Sequence, residues 1–250
     1  MLEQWLPLFS TLVLFVALWW TSRQLAYFFT GVFLLLTRSE SAARILYAIF
    51  ILPGTIIHET SHWLMARLVG VRTGQVSIFP TFDRKGAIRL GSVQVKGGGL
   101  LQHTLIGLAP LLVGSILTVW LSYGLVEVKA LAHAAETGQW QAIAGIIRQT
   151  LLRQDALLGL YLLFTVSDAM FLSASDRAPI QQTLLYLALV LTPLYFLGLL
   201  PSLPPEWTDA LRLGFTVFGY GLLIALMVHA ALMVLFGLLF YTLLQLARAR

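Results

Sequence analysis

Three polar side chains interrupt the apolar stretch ILPGTIIHETSHWLMARLVG at residues 51–70: His58, Glu59 and His62. The histidines are four residues apart, so on a helix they share one face, with Glu59 beside them. This H-E-x-x-H spacing lets two imidazole nitrogens meet one ion while the carboxylate serves as general base. Neutral imidazole suits zinc, and zinc lowers the pKa of a bound water to about 7. Glu59 can take that water's proton as it attacks a carbonyl and then give it to the leaving amine. Ionisable residues inside an apolar span are expensive and mark functional sites. A divalent cation is the simplest partner for three of them in five residues.

Catalytic zinc takes three protein ligands and keeps one position open. His103, His133, His229, Asp155, Asp168 and Asp176 lie in or near later apolar runs and are the candidates for the third. The stretch LFTVSDAMFLSASDRAP carries Asp168 and Asp176 eight residues apart, where an apolar run ends.

The rest of the chain says what holds these groups. Of 250 residues, 58% are hydrophobic and 11% charged, with a mean hydropathy of +0.84. Soluble domains carry roughly 25% charged residues, so lipid must cover part of this surface. Long unbroken apolar runs exclude a barrel, whose strands alternate, and leave an all-α polytopic membrane protein. The net charge of +5 comes from scattered basic residues, which argues for topology signals and against nucleic acid. The chain has no cysteine, which excludes disulfides and thiolate ligands. Its start lacks a basic n-region and a small-residue cleavage site and reads as a retained span.

Apolar windows of about 20 residues place about six transmembrane helices, with five or seven possible. The runs are Trp5–Trp20, Ile45–Val69 read as one helix, Leu100–Gly124, Ala156–Leu172, 183–200 and Leu213–Leu246. Residues 24–37 read as a separate interfacial piece or half a hairpin, and 127–154 as amphipathic interfacial helix. The linker PSLPPEWTD separates the last two runs. Between 72 and 98 the sequence turns polar; QVSIF and AIRLGSVQV have strand character and Asp83–Gly86 is a turn signal. A small membrane-associated β-hairpin or sheet follows, with an unpaired edge that could accept an unwound substrate segment as an added strand. Arg23, Arg38, Arg44 and the tail ARAR put the C-terminus on the cytoplasmic side and the N-terminus outside. That arrangement needs an odd number of spans, so it conflicts with six, and residues 24–37 decide the matter.

These motifs resemble the site-2 protease family of intramembrane zinc metalloproteases, and within it a divergent M50B-like bacterial branch. The resemblance runs over about residues 45–178. Besides H-E-x-x-H, it rests on Met170, Ser173 and Asp176, which match a pattern near N-x-M-x-P-S-x-x-D, and on Leu105–Gly114, LIGLAPLLVG. Asp168 stands where that pattern has Asn, and Leu172 where it has Pro. The resemblance implies zinc held by His58, His62 and Asp176, with Glu59 as general base and Asp168 touching substrate or supporting the ligands. It implies cleavage of a peptide bond in or near a transmembrane segment of a membrane-protein substrate, in a bacterial cytoplasmic membrane. Residues 1–43 and 179–250 are then flanking membrane segments around a core at 44–178. A non-proteolytic membrane zinc hydrolase and a silent scaffold that binds membrane segments are the alternatives; intact Glu59 argues against the scaffold. The substrate, the regulator and the oligomeric state are not written in the sequence.

Overall fold

A computed structural model describes residues 2–79, 81–82, 88–89, 91–171, 173–197 and 204–248. The expected turn at 83–86, Leu172 and the first residues of the 201–209 linker lie outside these. The helices are α1 (Leu2–Thr37), α2 (Glu40–Phe50), α3 (Leu52–Leu68), α4 (Leu100–Leu125), α5 (Val128–Glu136), α6 (Trp140–Leu151), α7 (Ala156–Ala169), α8 (Ala174–Phe196) and α9 (Pro205–Arg248). Between α3 and α4 lie strands β1 (Arg72–Ser77), β2 (Thr81–Phe82), β3 (Ile88–Arg89) and β4 (Ser92–Lys96).

Among the described residues, four helices are long and apolar enough to cross a membrane, five if the bent α2–α3 pair counts as one span. The chain is therefore an integral membrane protein, with four or five candidate spans where about six were expected. One of the six expected spans accounts for the difference, and residues 24–37, which are not among those six, also fold otherwise than expected. Residues 24–37 are not a separate piece: α1 continues through them, and at 1.5 Å per residue is about 54 Å long. No proline breaks that stretch, and Arg23 is accommodated by laying its guanidinium over Trp19, 4.5 Å from the ring centroid. The helix stops at Arg38, whose φ of 54° lies in the left-handed region. The expected span that falls short is α7, whose 14 residues reach only about 21 Å, less than the roughly 30 Å hydrocarbon core.

The stretch 45–69 is not one helix either. It bends by 69° between α2 and α3. Pro53 sits in the first turn of α3, where its missing N–H is no loss but its ring denies continuation of the preceding helix.

Helices α1 and α9 pack along their length and run parallel. Thr11 donates to the carbonyl of Phe215, while further along both helices Gly31 faces the ring of Phe240 and Gly237 faces Phe28. Parallel first and last spans require an odd number of crossings, which five supplies and six does not. Leu18, Leu163, Met170, Leu222 and Ala225 form the main buried apolar cluster between α1, α7 and α9.

Helix α4 is the spine of the site. Helices α7 and α8 follow one another along it in the opposite direction: Gly159 lies against Leu125, Gly114 against Met170 and Gly107 against the backbone of Asp176. Thr104 then ties α4 to α8 through the hydroxyl of Thr183 at 2.7 Å. The α7–α8 break thus falls beside the middle of α4. The expected hairpin is present as two short antiparallel ladders, β1 with β4 and β2 with β3. In the first, Val76 pairs with Val93 and Ser77 with Ser92, with a register shift between Thr73 and Val76. The short helices α5 and α6 occupy the region read as amphipathic.

Candidate metal centre

His58 and His62 project from α3 and meet Asp176, the third residue of α8, in one cluster whose ligand atoms all lie within 4.8 Å of one another. The Nε2 atoms of the two histidines are 3.2 Å apart. His62 Nε2 is 3.4 Å from Asp176 Oδ1, and His58 Nε2 is 3.8 Å from Asp176 Oδ2. A tetrahedral ion with bonds of 2.0–2.1 Å has ligand–ligand edges of about 3.3–3.4 Å. The distance between the histidine nitrogens and that from His62 to Oδ1 match this spacing, while the 3.8 Å from His58 runs to the other carboxylate oxygen and is longer.

Each ligand is held by a group that local sequence leaves unpartnered. Pro110 lies four residues after Ile106 in α4 and has no N–H. The Ile106 carbonyl therefore lacks its helical partner and accepts from His62 Nδ1 at 2.8 Å. Ala169 ends α7, so its carbonyl has no following turn to bond; His58 Nδ1 donates to it at 2.6 Å. With Nδ1 carrying the proton in both rings, both Nε2 atoms present lone pairs to the same point. Asp176 closes a capping box at the start of α8. Its Oδ2 accepts from the Ser173 backbone N–H at 2.9 Å and also from the Ser173 hydroxyl. An anion at a helix N-terminus is favoured by the helix dipole. Two imidazole lone pairs and a carboxylate converging within a few ångströms repel one another unless a cation lies between them. The donor set, two nitrogens and one oxygen, fits a divalent cation such as zinc.

Close backbone approach brings these elements together. A methyl group on Gly54 would collide with the carbonyl of Thr165, so α3 touches α7 one turn before His58. On the other wall, a Cβ at Gly91, just before β4, would lie 2.6 Å from Glu59 Oε1. Glu59 is buried and points into the same cavity, of about 720 Å³, as His58, His62, Asp168 and Asp176. Ser92, Val93 and Val95 of β4 line that cavity too.

The remaining candidates stand apart from the ligand cluster. Asp155 is an exposed partner of Arg153, whose two guanidinium contacts at 2.9 Å hold its carboxyl below the usual range. His133 is exposed on α5. His103 lines the cavity but is not one of the three ligand residues. His229 is fully buried in α9, with its Nδ1 2.9 Å from the carbonyl of Ala225. Asp168 lines the cavity and accepts a hydrogen bond from Ser22 of α1, a contact that sequence reading missed. The chain matches no protein-family model, no curated protein and no solved structure, so the site rests on its own geometry.

Proposed function

We propose that the protein is an intramembrane zinc metallopeptidase that hydrolyses a peptide bond in or beside a transmembrane segment of another membrane protein. The observation that carries this reading is the placement of Glu59. A carboxylate lies in one cavity with a two-histidine, one-aspartate cluster, inside a bundle whose outer helices are apolar. It agrees with the resemblance of the H-E-x-x-H helix and the Asp176 turn to the site-2 protease family. Arginines 23, 38 and 44 set the C-terminus on the cytoplasmic side of a bacterial membrane under the same reading.

His58, His62 and Asp176 would hold the ion, their orientation fixed by Ile106, Ala169 and Ser173. A bound zinc supplies a Lewis acid and acidifies water. Glu59 accepts a proton from the attacking water as its oxygen adds to the scissile carbonyl carbon. It returns that proton to the amide nitrogen as the carbon–nitrogen bond breaks, which balances the hydrolysis to one acid and one amine. The apolar helices admit a hydrophobic segment, while the polar lining formed by Ser92, Ser173 and Ser175 admits water.

Glu59→Gln tests the reading. Metal content per chain should stay at the wild-type value, while cleavage of a reconstituted membrane substrate falls by at least about 100-fold, the scale of general acid–base catalysis. Full cleavage by the variant would rule the mechanism out.

A further inference from the structure

Away from the metal cluster, Trp5 and Leu8 of α1 face Thr208, Leu211, Arg212 and Phe215 of α9 across a cleft of about 80 Å³ near the start of both helices. The four α9 residues follow the i, i+3, i+4, i+7 spacing of a single helix face. The cleft ends where the helices close on each other. There Thr11 donates to the carbonyl of Phe215, and a Cβ on Gly219 would lie 3.0 Å from the Thr11 hydroxyl. Asp209 lines the cleft beside Arg212.

Asp209 and Arg212 are three residues apart, near enough on a helix to pair. Among the described residues neither forms an ion pair. Both are exposed, and both lie beyond the first turn of α9, so side chains rather than the helix end define the place. The cleft also marks where polar sequence gives way to apolar. Residues 213–247 carry no Asp, Glu, Lys or Arg, and neither do residues 5–22. Trp5 and Trp207 are 42% and 65% exposed there, as suits the level of lipid headgroups.

A cation, an anion and an apolar floor at that level match a ligand with both charges and an apolar tail. An anionic lipid would meet Arg212 but be repelled by Asp209. A quaternary amine has no N–H to give the Asp209 carboxylate, whereas a primary ammonium has three. We propose that the mouth of the α1–α9 pair holds the headgroup of one phospholipid bearing a primary amine, with Arg212 on its phosphate and Asp209 on its ammonium. Bound there, the lipid ties the first helix to the last. The proposal does not rest on the peptidase reading.

The test titrates purified wild type, Arg212→Gln and Asp209→Asn in detergent with dioleoyl phosphatidylethanolamine and dioleoyl phosphatidylcholine. Native mass spectrometry counts bound lipid, and the thermal midpoint is read alongside. Wild type should take one phosphatidylethanolamine at least about threefold more tightly than phosphatidylcholine, the scale of one exposed charge pair, and its midpoint should rise with bound lipid. Arg212→Gln should weaken both lipids about fivefold, the share of one basic side chain at a lipid surface. Asp209→Asn should bind the two lipids equally. Equal affinities in wild type, or a preference that survives in Asp209→Asn, would overturn the proposal, and the wild-type comparison decides without either variant. Soluble phosphoethanolamine should compete only weakly, because it leaves the apolar floor empty; binding as tight as the lipid's would overturn the assignment to a lipid.

Discussion

Asp176 does two jobs with two oxygens. Oδ2 takes the Ser173 cap, and Oδ1 faces His62 Nε2 at 3.4 Å. Ser173→Ala should therefore keep the fold but weaken metal binding by roughly 10–100-fold, the usual effect of removing a group that orients a ligand. Competition with a chelator reads this directly; unchanged affinity would show that the cap does not orient the carboxylate. His58, Glu59 and His62 were legible because their relation is local, three residues within one helical turn. Asp176 was one of six candidates on residue type alone, and only the resemblance singled it out. The Ser22–Asp168 bond was not legible at all, because it joins residues 146 apart in sequence and a lone serine in an apolar run carries no signal.

At the scale of elements, prolines shape the site. Pro53 ends the reading of 45–69 as one helix, and the cue was present in the sequence. Pro110 was noted as part of a motif, but its effect, a free carbonyl at Ile106, appears only once α3 is seen beside α4. Pro110→Ala supplies an N–H that competes for that carbonyl. Zinc affinity should fall by about 10-fold or more while helicity rises or stays level. An unchanged affinity would separate Pro110 from the ligand shell. The hairpin was legible from its β-rich composition and turn signal. What the sequence lacked was that β4, rather than β1, supplies cavity-lining residues. Proline at Ser92 or Val93 removes one edge donor. At whichever residue points its N–H away from β1, cleavage should drop with metal content unchanged. If neither substitution slows cleavage, the strand does not dock substrate.

For the whole molecule, hydropathy gave the membrane class and a range of five to seven crossings, of which the lower end meets the four or five candidate spans of the described residues. Helix α1 is continuous through residues 24–37, and α7 is too short to cross alone, so parallel α1 and α9 frame an odd number of crossings. That frame puts the start of α1 and the end of α9 on opposite sides of the bundle. It also buries the ligand cluster between α3, α4 and the α7–α8 break, where an ion would be shielded from bulk water. The most direct test of the account is metal content per chain in purified wild type, Glu59→Gln and Asp176→Ala. The account predicts about one zinc per chain in wild type and in Glu59→Gln, and a large loss in Asp176→Ala. Wild type without bound metal after zinc loading, or full occupancy in Asp176→Ala, would contradict it.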